Sequence, residues 1–381
     1  MSLNGFDVSI PLSKERFKVA YHLRGTKEEA QTLANEICIE QTIEFPPDLV
    51  TKGDIRDHIF GRLESLEPVC GDSWEAVISY AIETVGMELT QLLNVIFGNS
   101  SLKPWIRVER LEFSQSILNI FKGPRFGIQG LRKLLDVPRR PLFCTAIKPM
   151  GLPVKDLEEL AYRFALGGVD MIKDDHGLAD QPFHPYKERV ERCAQAVLKA
   201  NAQTGGKCLY IPNLSCSTDQ IVEKAYFAKE KGAGALMIAP GLTGFDTMKM
   251  IAEDDKLGLP VICHPALLGS FVSSHGSGMS HRVVFGQLPR IAGADATIYP
   301  NYGGRFSFSI SDCKSIVLGT TEPMNPIKPI FSMPGGGMSF ERIPEMIETY
   351  GKDMIFLIGG ALHKIGPDLT ENCKKYLDAI R

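Results

Sequence analysis

The sequence predicts an α/β protein: a C-terminal (β/α)8 TIM barrel over residues 126–381, preceded by an α+β domain with a small sheet over residues 1–125. Three observations predict it. First, from about residue 126, eight short apolar, β-rich runs recur, at 142–147, 169–172, 208–211, 235–238, 260–263, 296–299, 329–333 and 354–358. Second, helical stretches such as 155–166, 186–201, 218–231 and 339–349 lie between them. Alternation at spacings of roughly 25 to 40 residues builds parallel βα units. Third, no Gly-x-Gly-x-x-Gly follows the first run, which disfavours an open nucleotide-binding sheet and leaves the closed barrel.

The first part reads differently. Residues 17–23 suggest a strand, and 27–39, rich in Ala, Glu and Leu, a helix. Residues 80–93 are read as a second amphipathic helix, with Val95, Ile96 and Phe97 running into a turn at Gly98, Asn99 and Ser100.

At 381 residues the chain is long enough for two domains. A net charge of −3 gives no case for nucleic acid or an anionic membrane as partner. No apolar run approaches the roughly 20 residues of a membrane helix. Residues 1–17 lack the basic-then-apolar layout of a signal peptide. Nine cysteines with no CxxC are expected to be free thiols in a reducing cytoplasm.

The chemistry is expected where barrel strands end. The second barrel strand ends in Lys173, Asp174, Asp175 and His176. Two-residue alternation puts Lys173 and Asp175 on one face and Asp174 on the other. Such a cluster is either a salt bridge or a catalytic centre, because charges at the end of an apolar strand need a partner or a task. The other strands deliver Lys148, Asn213, His264, the run from Tyr299 to Arg305, and two glycine clusters. Gly335, Gly336 and Gly337 follow the seventh strand and Gly359 and Gly360 the eighth, where exposed N–H groups often hold a phosphate. Asp175 suits a hard divalent cation, as would Lys173 once carbamylated by CO2; His176 is a poorer ligand for such an ion. Lys148, walled by Ile147 and Pro149, is expected to lose hydration and so to offer a neutral amine that takes a proton from carbon. The six remaining histidines, His22, His58, His184, His275, His281 and His363, have no telling context.

Together these motifs resemble the RuBisCO large-subunit superfamily, and within it the RuBisCO-like (form IV) proteins that do not fix CO2. The resemblance rests on the run from Gly123 to Gly130, on Thr145-Ala-Ile-Lys-Pro, on Gly-Gly-Val-Asp-Met-Ile-Lys-Asp-Asp ending at Asp175, and on the late glycine turns. It implies Mg2+ held by carbamylated Lys173, Asp175 and the residue at His176, and proton transfer by Lys148, with His264 beside them. It also implies one phosphate on the two glycine turns. It further implies a homodimer whose active site is completed by Glu40 and Asn99 of the second subunit.

The chain departs from RuBisCO in five places, one being the Thr-Gly-Thr pattern around Glu40, broken here to Gln41-Thr42-Ile43-Glu44. His176 stands for a glutamate ligand, Pro265 for an arginine that binds a second phosphate, and Ile298 for a histidine. The mobile loop after strand six lacks its lysine. Carboxylation of a bisphosphate is therefore not expected. The resemblance instead implies enolisation of a phosphorylated keto-sugar with a single phosphate, leading to isomerisation of the 5-methylthioribulose 1-phosphate type. An apolar pocket of Pro265, Ile298 and Tyr302 would favour that substrate. The alternatives are a decarboxylase of 3-oxo-isoapionate 4-phosphate, with Arg305 binding the carboxylate, and a non-catalytic RuBisCO-like protein. A barrel aldolase using Lys148 or Lys173 as a Schiff base is a further option.

Overall fold

The computed structural model describes residues 11–50 and 53–381, so residues 1–10 of the N-terminal stretch read above lie outside it. Its strands in chain order are β1 (Arg16–Arg24), β2 (Arg62–Pro68), β3 (Ser73–Ala81), β4 (Ile106–Glu112), β5 (Leu142–Ile147), β6 (Met171–Asp174), β7 (Leu209–Ile211), β8 (Leu236–Ile238), β9 (Val261–Cys263), β10 (Gly278–Met279), β11 (Ala296–Pro300), β12 (Phe331–Gly335) and β13 (Ile355–Leu357). The chain divides into two units. One runs to Phe121 and takes in Leu268–Gln287 and Met324–Pro326; the other comprises Lys122–Leu267, Leu288–Pro323 and Ile327–Arg381.

In the first unit five strands form one sheet in the order β10-β4-β1-β3-β2. The helix Lys27–Glu40 starts on a capping box, in which Thr26 accepts from the Glu29 N–H and the Glu29 carboxylate accepts from the Thr26 N–H. The helix expected over 80–93 is not found as such. Residues 73–81 form the strand β3, paired on both sides with β1 and β2, and Tyr80 lies within it. Local periodicity there was outweighed by pairing on two edges. A turn at Ile82–Val85 and Gly86, at φ +60°, intervene before the helix Leu89–Phe97, which takes in Val95, Ile96 and Phe97.

The second unit is an eight-stranded parallel barrel in the order β7-β6-β5-β13-β12-β11-β9-β8. A bridge between Asn213 and Met237 joins its two ends. All eight apolar runs of the sequence became its strands, because a strand buried on both faces reads as a continuous apolar run. Its core gathers Leu142, Cys144, Met171, Met237, Ile262 and Phe331 with Ile128, Leu131 and Leu135 of the helix Gly127–Leu135. Each fully buried aliphatic side chain of this kind contributes about 1.5–3 kcal/mol relative to exposure.

The Gly123-to-Gly130 motif explains how that helix is placed. The Asp295 carboxylate accepts from the Phe126 and Gly127 N–H groups, both at 2.7 Å, and from the Val261 N–H at 3.0 Å. Gly127 sits at φ +61°, and a Cβ there would stand 2.8 Å from the Pro329 carbonyl oxygen. The motif is thus scaffolding. Among the described residues no helix is long and apolar enough to cross a membrane, and all nine cysteines are free thiols.

Candidate active site

Strand β6 splits its charged end between two environments. Lys173 is 3% exposed, and its ammonium donates to the Asp174 carbonyl at 2.9 Å. Burial disfavours the charged amine and lowers its pKa against the opposing pull of Asp175. Asp174 faces the other way and is fully buried. It accepts from Arg189 Nε at 3.2 Å, Tyr210 Oη at 2.7 Å and the Asn213 N–H at 3.0 Å. The salt-bridge reading of the cluster therefore belongs to Asp174, while among the described residues Lys173 forms no such ion pair.

Asp175 leaves the strand and meets three groups. Its Oδ1 lies 4.0 Å from Lys148 Nζ, its Oδ2 lies 3.4 Å from His176 Nδ1, and Oδ2 accepts from the Gly177 N–H at 3.3 Å. Burial pushes this carboxyl up, but the His176 hydrogen bond and the charge on Lys173 outweigh it and hold it below the usual carboxylate range. His176 stacks on His264, with centroids 4.6 Å apart and planes at 14°. His264 is 9% exposed; burial, then the charges of Lys173 and His176, push its pKa well down. The Ala266 N–H donates to His264 Nδ1 at 3.2 Å. The neutral ring therefore carries its proton on Nε2. Asn213 braces the loop beneath, donating to the carbonyls of His176 at 2.9 Å and Leu178 at 3.0 Å.

Lys148 is not desolvated as its apolar neighbours suggested: its side chain is 40% exposed, because Pro149 already belongs to the loop. Its position is nonetheless specific. A Cβ on Gly359 would stand 3.0 Å from Lys148 Nζ, so the absence of a side chain there makes room for the amine. His363, without telling context in the sequence, lies near it; burial first, then the Lys148 charge, lower its pKa.

The other glycine turn is built by close approach. Gly337 sits at φ +66°, and a Cβ on it would stand 2.8 Å from Gly304 Cα in the loop after β11. Arg305 in that loop is exposed, with its guanidinium 4.9 Å over the Phe306 ring. Of the three residues expected to form an apolar pocket, Ile298 packs in the barrel core, Pro265 is half-buried, and Tyr302 donates its hydroxyl to Glu345 at 2.7 Å. In the first unit, Asn99 Nδ2 donates to Glu40 Oε1 at 3.0 Å. Buried Gln41 holds that pair in place, donating to the Asn94 and Val95 carbonyls and accepting from the Ser100 N–H.

Residues 127–304 match the family of the ribulose bisphosphate carboxylase large chain, catalytic domain. Across 95% of its length the chain is 38% identical to ribulose bisphosphate carboxylase-like protein 1 of Rhodopseudomonas palustris, covering 96% of that protein. The chain belongs to the RuBisCO-like proteins. It is also 35% identical to the 5-methylthioribulose-1-phosphate isomerase of Rhodospirillum rubrum, over 96% of each chain. To the 2,3-diketo-5-methylthiopentyl-1-phosphate enolase of Bacillus licheniformis it is 33% identical, over 88% of this chain and 84% of that one. Among solved structures, that of a RuBisCO-like protein from Rhodopseudomonas palustris matches with a TM-score of 0.87 and 34% identity, covering 96% of this chain and 97% of the other.

In this RuBisCO-like protein, then, Lys148, Lys173, Asp175, His176 and His264 form one cluster, with the Gly359–Gly360 turn against Lys148. The missed residues are Arg189, the partner that takes Asp174 out of the site, and His363 beside Lys148. Arg189 lies on the helix Tyr186–Thr204, where its position offers no signal short of the folded barrel.

Proposed function

We propose that this RuBisCO-like protein enolises a phosphorylated keto-sugar carrying one phosphate and isomerises it, with 5-methylthioribulose 1-phosphate as the type of substrate. One observation carries the reading: the Lys148 amine lies between the Asp175 carboxylate and the Gly359 turn, so a proton carrier stands beside a cradle suited to phosphate. Similarity to an isomerase over 96% of the chain supports the outcome.

The residues fit a divalent cation. Burial of Lys173 favours the neutral amine that CO2 requires, and Asp175 stays ionised, which gives two oxygen donors suited to Mg2+ once Lys173 is carbamylated. His176 would be a third, nitrogen donor. When bound, such a cation draws electron density from a carbonyl and acidifies the neighbouring C–H.

The chain's own groups do the rest. Once it has released its own proton, the Lys148 amine takes the proton from carbon beside the carbonyl. His264, neutral and protonated on Nε2, donates a hydrogen bond to the oxygen on which charge develops. Return of the proton to the former carbonyl carbon, with the proton of the neighbouring hydroxyl passing to the former carbonyl oxygen, moves the carbonyl by one position. With Pro265 where an arginine would hold a second phosphate, a monophosphate is the better fit. Arg305 lies on Phe306, which gives the decarboxylase reading less support. Glu40 and Asn99, already paired, are the groups a second copy would contribute in a homodimer. Free thiols throughout accord with a cytoplasmic setting.

The test is incubation with 5-methylthioribulose 1-phosphate and a panel of sugar monophosphates in D2O, with Mg2+ and bicarbonate, followed by NMR. Carbon-bound deuterium and an isomeric product are expected. No label in any of them would leave the non-catalytic reading. Label with an enol but no isomer would assign the enolase outcome, and loss of CO2 from a keto-acid phosphate the decarboxylase.

A further inference from the structure

We propose that Arg342 is a positioning residue for the phosphate cradle. It fastens the loop after β11 to the glycine turn after β12, so that this wall of the site is built before a ligand arrives. This rests on reading Gly335, Gly336 and Gly337 as the phosphate turn.

Arg342 closes the short turn Phe340–Arg342 ahead of the helix Ile343–Tyr350. One of its terminal nitrogens donates to two carbonyls, Tyr302 in the first loop and Gly337 in the second, both at 3.1 Å. The guanidinium is itself held: Nε and the other terminal nitrogen donate to the two Glu345 oxygens at 3.1 and 3.3 Å, and its plane lies 4.9 Å over the Tyr302 ring. Tyr302 donates to the same carboxylate. At the loop's start, the Asn301 N–H donates to the Gly335 carbonyl at 2.9 Å, and the Asn301 side chain accepts from Tyr350 Oη at 2.5 Å.

Just beyond these anchors Gly304 and Gly337 touch backbone to backbone, so a side chain on Gly337 would force the loops apart. In a trans peptide the N–H points opposite to the C=O. Fixing the Tyr302 and Gly337 carbonyls on Arg342 therefore turns the N–H groups of Gly303 and Met338 away from it. The resemblance would put a mobile loop after strand six; here the first part of that loop, residues 301–304, is fastened to the glycine turn.

The experiment compares wild type with Arg342→Ala, Arg342→Lys and Glu345→Gln. It reads amide hydrogen exchange in residues 301–305 and 335–338, affinity for inorganic phosphate, and KM and kcat on a sugar monophosphate. Arg342→Ala should speed exchange in both segments and weaken phosphate binding about tenfold, the weight of one charge-assisted hydrogen bond, raising KM more than it lowers kcat. Arg342→Lys, whose ammonium can still reach one carbonyl, should recover part of this. Glu345→Gln should act in the same direction and less, and serves if Arg342→Ala does not fold. Unchanged exchange in both segments overturns the fastening. Faster exchange with unchanged phosphate affinity overturns the link to the cradle. A wild type blind to inorganic phosphate sinks the reading of the glycine turn, while exchange still reports on Arg342, so the two failures are separable.

Discussion

Lys173 and Asp174 are neighbours in sequence and stand on opposite sides of the barrel wall. The lysine faces the interior that opens on the rim, and the aspartate faces the helix layer, paired with Arg189. The pleat alone separates a residue available for chemistry from one committed to the fold.

The two substitutions should therefore fail in different ways. Asp174→Ala leaves the Arg189 guanidinium buried without its counter-charge, which destabilises by about 3–5 kcal/mol. A lower urea midpoint with an unchanged slope would report it. Lys173→Met keeps volume and apolar packing, so the midpoint should move by less than about 1.5 kcal/mol while solvent exchange at substrate carbon disappears. If Asp174→Ala unfolded like wild type, the pairing with Arg189 would not be structural.

Much of this was legible in the residues. The barrel strands read directly because each is apolar on both faces, and their C-terminal ends deliver the site. The N-terminal sheet read only in part: residues 17–23 lie within β1 as expected, while β2 and β3 did not read. β2 is Arg-Leu-Glu-Ser-Leu-Glu-Pro, a half-polar strand that local pattern cannot tell from a loop. Residues 73–81 were claimed by pairing on both edges. Lys148 misled for another reason: its flanking Ile147 and Pro149 are apolar, yet it follows the last residue of β5 and Pro149 is exposed in the loop, so they do not wall it in. Arg342 and His363 reach the site through loops of strands distant in sequence.

Because Lys148 is only half-buried at the end of its strand, its loss should affect folding little. Lys148→Met should shift stability by no more than about 0.5 kcal/mol, as surface substitutions do. Enolisation should fall by about 10²–10⁴-fold, the usual contribution of a positioned acid or base. Deuterium incorporation by NMR measures it. Full retention of exchange would assign the proton transfer to another group, with His363 one candidate.

CO2 and a divalent cation should stabilise the protein jointly. Carbamylation of the buried Lys173 amine puts a second anionic oxygen group beside Asp175, and neither addition completes the site alone. At a hundredfold excess over Kd the ligand stabilises by about 2.7 kcal/mol. Calorimetric melting should therefore rise with bicarbonate plus Mg2+, and much less with either alone. The increment should vanish in Lys173→Met. A carbamate carbon signal with 13C-bicarbonate gives an independent readout, and equal melting in all conditions would exclude the carbamylated site.

Acid should weaken the native state through His264. Its pKa is pushed well below the ordinary 6.5 by burial, so the unfolded chain takes up a proton first as pH falls. Stability from keeping the ring neutral is then complete above pH 6.5 and declines below it, until the native ring also titrates. Asp175, held below its usual 3.8, acts in the same sense only in more acid solution, so the two windows separate. His22, His184 and His363 are lowered too and share the upper window, which makes the wild-type slope a sum. Denaturant midpoints of wild type and His264→Gln, compared at pH 7 and pH 5, isolate the one ring: the variant should lose less stability between them. Ring-proton NMR should find His264 not yet protonated at pH 6. A His264 that titrated at or above 6.5, or equal slopes in both proteins, would show that its imidazole is solvated and would remove it as the neutral Nε2 donor in the mechanism.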